Sequence, residues 1–286
     1  MNKCLKTAGL VGLLATLSAQ ALAQWPRYPS PNVPRTAEGE VDLEAPAPRT
    51  ADGKPDLSGL WEIRRGAIGA PPPEGSPPPP PPPPPPQPPG TPPLATFFDI
   101  GANLEGGAAP YRPWAKELKD QRLADGMKDN PDAHCLPMGF MQLHGHPQPR
   151  KIVQTPGLIV IMYEGNSGLR QIFTDGRPLP DNDPQPWWYG YSVGHWDGDE
   201  LVVESIGFRD DGWLDVNGSP LTEEGKLIER FRRPTFGDLE IDITVDDPKA
   251  YTEPFTVRVN QRILVDEELI EFICNENEKS TMHFDP

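Results

Sequence analysis

From Arg150 to Cys274 apolar and polar positions exchange in short runs, with turn residues every ten positions or so. LIVIMYE at 158–164 is apolar on both faces, LRQIF at 169–173 leads into the turn TDGR, and YGYSVGHW and ELVVESIGF flank Asp197-Gly198. LEIDITV at 239–245 alternates cleanly, and FTVRVNQRILV and ELIEFIC close the series. Period-two alternation without a long helical period between the runs predicts an antiparallel meander. Strands of this number close into a barrel or stack as a sandwich, and closure is expected because an open sheet would expose unpaired edges. The fold class is therefore mainly all-β, an antiparallel meander closed into a β-barrel over 150–286, with an interior able to hold one small ligand.

Upstream, the pattern divides into shorter pieces. GLWEI opens a first strand within 58–70, and YRPWAKELKDQRLADG, within 94–149, predicts a short helix with Pro113 at its first position and Gly126 at its C-terminal cap. Residues 24–57 read as an extended arm with a near-repeat, PRTAEGEVDL at 34–43 returning as PRTADGKPDL at 48–57. Residues 71–93 are a proline spacer whose unbroken run at 77–86 dictates polyproline II. Residues 1–23 have Lys3 and Lys6, an apolar run, and small residues Ala21 and Ala23 before Gln24, the pattern of a secretory signal peptide cleaved near Ala23. That run is too short to span a bilayer, so the expectation is a periplasmic or secreted protein without membrane insertion.

Composition adds two constraints. The formal net charge is −16 and becomes more negative without the leader, which argues against nucleic acid as a partner. Cys135 and Cys274 remain after Cys4 leaves, and two thiols in an oxidising compartment predict one disulfide.

Candidate chemistry concentrates at 184–208. On a continuous strand Trp187, Tyr189, Tyr191, Val193 and His195 share one face, while Trp188, Gly190, Ser192, Gly194 and Trp196 share the other. The bulky rings beside small residues point to a ligand lining of Trp187, Trp188, Tyr189 and Trp196, joined by Phe173 and Glu204. A two-residue Asp197-Gly198 loop sets Tyr191 opposite Glu204 and His195 opposite Glu200; one residue more shifts every partner to the other face. In the first register a phenol and a carboxylate could share a proton. Arg170, across the GNSG turn from Glu164, could steady negative charge, with Glu164 orienting it or serving as base. Glu271, between Leu269 and Ile273, would be informative if buried. His144 and His146 are weak metal candidates, since no third ligand is evident beside them. No Walker loop, dinucleotide fingerprint or nucleophile elbow occurs, so no cofactor is expected.

The segments RTADGKPDLSGLW, IFTDGRPLP, GYSVGHWDGDELVVESIGF, DPKAYT and ICNEN resemble a broad, mostly uncharacterised group of secreted bacterial proteins. GLWEI is similar to the G-x-W opening of lipocalins, and the resemblance implies a lipocalin-like barrel more than any reaction. The chain departs from the group at the proline tract and at GSPLTEE, 218–224, where Leu221 replaces a position richer in His.

The expectation is a barrel that takes a small apolar or aromatic molecule into an aromatic-lined cavity. If it is an enzyme, it is a cofactor-independent lyase, isomerase or dehydratase in which Tyr191 and His195 exchange protons beside Arg170 and Glu164. The alternatives are a carrier that leaves the molecule unchanged and an envelope interaction protein. Oligomeric state is not readable from these patterns.

Overall fold

The structure is a computed structural model that describes residues 29–64, 88–181 and 185–276. The expected leader with its cleavage site and the prolines at 77–86 lie outside the described residues.

Nine strands form a closed barrel in the order β1-β11-β10-β9-β6-β5-β4-β3-β2. They are β1 (Gly59–Ile63), β2 (Arg150–Thr155), β3 (Leu158–Tyr163), β4 (Leu169–Phe173), β5 (Tyr191–Asp197), β6 (Glu200–Ile206), β9 (Lys226–Arg232), β10 (Asp238–Asp246) and β11 (Phe255–Leu264). The short strands β7 (Gly212–Trp213) and β8 (Pro220–Leu221) pair with each other outside the wall. The first strand belongs to the barrel: β1 pairs with β11 from Leu60↔Leu264 to Ile63↔Gln261 and with β2 from Gly59↔Ile152 to Trp61↔Arg150.

Two expectations about the wall need correction. The meander is broken between β4 and β5, which pair in parallel at Ile172↔Ser192 and Phe173↔Val193. ELIEFIC is not a strand, because β11 already fills the place between β10 and β1 and closure leaves no edge for it. Glu271 is exposed, as are Ile270 and Ile273. The tail is fastened instead by the predicted disulfide Cys135–Cys274, by the Ser167 hydroxyl donating to the Phe272 carbonyl, and by the Ile270 N–H donating to Glu164 Oε2 at 3.3 Å.

Helix α1 (Pro113–Ala124) forms as its pattern predicts, with Pro113 at its start. Helix α2 (Phe140–Gly145), too short to show a period, is buried along its whole length and plugs one end of the barrel. At the other end the arm 34–57 lies over the turns. Phe236 and Gly237 donate to the carbonyls of Ala45 and Leu43, Arg233 donates to the carbonyls of Asp56 and Ser58, and Gln154 bonds Leu57 and Pro55.

The hollow interior does not materialise. Alternation sends Ile241, Ile243 and Val245 of β10, Phe231 of β9 and Val203 of β6 inward, where they meet Trp61, Phe140 and Leu143 in one continuous core. Trp61 is fully buried, its indole N–H donating to the Leu57 carbonyl at 3.0 Å. A packed centre of this kind excludes a guest.

Candidate functional site

The residues of 184–208 do not lie on one continuous strand. Strand β5 begins at Tyr191, and Gly190 just before it has φ of +64°, a left-handed conformation that interrupts the alternation of sides. Within β5, Ser192 and Gly194 are buried, while Tyr191 and Val193 are half-buried and His195 is exposed. The hairpin loop is Gly198-Asp199, with the positive φ at Gly198 that a glycine-first two-residue loop requires. Tyr191 therefore opposes Ile206, Val193 opposes Glu204 and His195 opposes Val202, an offset of two from the expected register. Tyr191 and Glu204 share no rung of the ladder, and Glu204 forms an ion pair with Lys226 on the outer surface.

The small inner face of β5 is occupied by the core. A Cβ added to Gly194 would stand 3.1 Å from Ile172 Cγ2. Arg170, inward on β4, runs across this face and donates to the Ser192 and Ser205 hydroxyls at 3.0–3.2 Å. It forms a bidentate pair with Glu229 of β9, and its guanidinium lies 3.6 Å from the centre of the Phe140 ring. Glu229 also accepts from His144 Nε2 at 2.9 Å. Arg150 braces the helix by donating to the carbonyls of His144 and His146.

Burial alone would push the Glu229 carboxyl up, but Arg170 and His144 outweigh it and hold its pKa at about 2. Burial lowers the His144 pKa against the opposing pull of Glu229, so the imidazole is neutral near pH 7. Arg170, His144 and Glu229 are all within 1% of complete burial. Such a network specifies the packing of the plug.

The four residues expected to act together are thus dispersed. Arg170 points inward, Tyr191 and His195 point outward, and Glu164 lies at the β3–β4 turn holding the C-terminal tail. Arg170 pairs with Glu229 rather than Glu164, because position 170 shares the inner face with position 229 while Glu164 sits beyond the end of β3. Glu229 was findable from sequence: in KLIERFR it stands between Leu227 and Phe231 on the apolar face.

The aromatic side chains divide among four places. Tyr189 is half-buried, with its ring 6.3 Å from Tyr163, and burial pushes its hydroxyl pKa up to about 12. Trp196 packs against the core at the arm end, with Lys54 Nζ 6.0 Å from its ring. Trp188 lies under Arg209, with the guanidinium 4.4 Å from the ring, beside a crevice with Phe140 and Trp213 whose free space is about 10 Å³, room for one water.

Trp187, Tyr191 and Phe173 remain, and these meet on the outside. Phe173 stacks on Tyr191 at 5.3 Å and 28°, and the Arg177 guanidinium covers Phe173 at 3.8 Å. Asp175 holds Arg177 through bonds of 2.6–3.0 Å, and Arg177 donates to the Tyr191 hydroxyl at 3.1 Å. Arg177 keeps the Asp175 carboxyl below its usual range, so the pair stays charged. Pro178, Leu179 and Pro180 form the facing wall, and Trp187, 51% exposed, closes one side. The groove holds about 660 Å³, within the size range of small-molecule sites. Arg177 and Asp175 carried no signal in the sequence beyond the turn TDGR.

His144 and His146 do not make a metal site: both lie at a helix end, His144 binds Glu229, and His146 meets Phe97 edge-on at 4.9 Å. Among the described residues no group of three or more His, Cys, Asp or Glu is placed to hold a metal. No helix among them is long and apolar enough to cross a membrane. No family model matches the chain, and neither a curated protein nor a solved structure matches it.

Proposed function

We propose that this is a secreted or periplasmic binding protein that holds a small apolar or aromatic molecule on the outer wall of its barrel, in the groove between Tyr191 and the 178–180 segment. The observation that carries this reading is the groove itself, ligand-sized, with Trp187 exposed, Tyr191 half-buried and one fixed cation, Arg177, at its edge. Trp and Tyr supply broad rigid contact area with polar tips, and a single guanidinium can orient a ligand carrying a carboxylate or carbonyl. The disulfide supports an oxidising compartment. A carrier is favoured over an enzyme because the acid-base groups do not converge on one point.

The test is a titration with 2-naphthoate and with naphthalene, read by tryptophan fluorescence. Trp187→Ala and Tyr191→Ala should each weaken naphthoate binding at least tenfold. Tyr191→Phe should weaken it by only the worth of one hydrogen bond, about 1 kcal/mol. Equal binding by parent and Trp187→Ala/Tyr191→Ala would remove the groove from consideration.

A further inference from the structure

The near-repeat of the arm is a repeat in three dimensions. In the first copy the Thr36 N–H donates to Glu40 O, Gly39 to Thr36 O and Asp42 to Pro34 O, at 2.8–3.0 Å. In the second copy Thr50 donates to Lys54 O, Gly53 to Thr50 O and Asp56 to Pro48 O, at 2.8–2.9 Å. Arg35 and Arg49 each donate from Nη1 to the carbonyl of their own glycine, Gly39 and Gly53, whose φ values are +87° and +82°. Asp42 and Asp56 each accept from the N–H two residues on. One loop design is built twice.

The second copy shows what the design does. Arg49 makes a bidentate pair with Asp199 at 2.5 and 2.8 Å, and Lys54 Nζ donates to the Gly198 carbonyl at 3.2 Å. Two points of the loop thus grip the β5–β6 hairpin turn, one on a carboxylate and one on the backbone beside it. The first copy is held as firmly at its base. Ser30 and Asp266 exchange bonds of 2.7 and 2.9 Å on one side, and the Leu43 and Ala45 carbonyls accept from the β9–β10 turn on the other. Its tip faces solvent: Arg35 and Glu40 are exposed, and Arg35 has no carboxylate partner among the described residues. Glu40 stands where the second copy has Lys54, so the second grip point has reversed sign.

We propose that residues 34–43 are a turn clamp for a partner protein, docking a hairpin turn that offers a carboxylate to Arg35 and a basic side chain to Glu40. The partner is a foreign chain rather than a second copy, because the turn for which the design is built, Gly198-Asp199, is already engaged by Arg49 and Lys54 of its own chain. Single exposed ion pairs contribute little. A loop already fixed in its binding conformation avoids the ordering cost, and the sign reversal at residue 40 discriminates between turns. This inference is independent of the outer groove.

The test uses the intact chain and two end-cyclised peptides, one with the sequence of residues 195–202 and one with Asp197→Lys, followed by amide chemical shifts at 35–40. The Asp197→Lys peptide should shift these amides in the parent and bind at least tenfold more weakly to Arg35→Ala. The unmodified peptide should bind the parent at least tenfold more weakly than it binds Glu40→Lys. If neither peptide moves these amides, or Arg35→Ala binds as the parent does, the clamp is refuted. Sedimentation without peptide is the second readout. Self-association of the parent that is lost in Arg35→Ala would make the occupant another copy and overturn the assignment to a foreign partner.

Discussion

The barrel is closed at its two ends by opposite means. At the arm end, consecutive turns cover Trp61, the ion pair Arg49–Asp199 is exposed at 52% and 63% of its side chains, and the buried Arg233 guanidinium donates to the backbone carbonyls of Asp56, Ser58 and Phe236 rather than to a carboxylate. At the plug end, helix α2 is set into the core by Glu229, Arg170 and His144, all fully buried. Both ends exclude water, but the first spreads its stabilisation over many small contacts, whereas the second depends on a few charges that must all be matched. A loss at the arm end should therefore be local, and one at the plug end should unfold the molecule.

Glu229→Ala is the most damaging change this contrast predicts, since it strands a buried guanidinium and should lower unfolding free energy by about 3–5 kcal/mol in denaturant titration. The double variant Arg170→Met/Glu229→Leu should recover most of that loss. If Glu229→Ala is harmless, the contrast between the ends is wrong.

Acid should act on the same network in two stages. The His144 pKa is lowered from 6.5, so its contribution is complete above pH 6.5 and declines as pH falls below it. The Glu229 pKa falls from 4.5 to about 2, so its contribution is complete above pH 4.5 and is lost as pH falls toward 2. A shift of that size corresponds to about 3 kcal/mol. Unfolding midpoints measured from pH 7 to 2 should show both stages in the parent, and the lower one should shrink in Arg170→Met/Glu229→Leu without vanishing, because Asp242, paired with Arg258 and Arg232, is also held below its usual range.

Replacing Cys135 and Cys274 by Ser releases the tail from the plug end and should cost at least about 2 kcal/mol, read from thermal unfolding without reductant. Smallest is Arg49→Ala, which should leave the unfolding midpoint within error while raising amide exchange at 198–200. A large shift in its midpoint would erase the distinction between the ends.

The arm end was the easier to read in the sequence. GLWEI announces the buried Trp61, while the near-repeat reads only as an extended arm, although each hydrogen bond of its two turns spans a few residues. Strict alternation likewise marks β10, whereas β9, KLIERFR, is not among the expected strands although its apolar positions alternate. The plug end depends on meetings between distant positions: Arg170 reaches Glu229 only after the barrel closes, and α2 has six residues, too few to display a helical period. The aromatic cluster misled for a related reason, since the break at Gly190 separates Trp187 and Tyr189 from the alternation of β5.

The parallel junction gives the wall a seam. Strands β4 and β5 are paired at two positions, against seven between β5 and β6. Breathing of the cylinder should begin there, and Phe173 and Tyr191, one from each side, stack across it. A molecule lodged against those rings would act as a stitch, and its arrival should be recorded as slowed deuterium uptake along both lips of the seam.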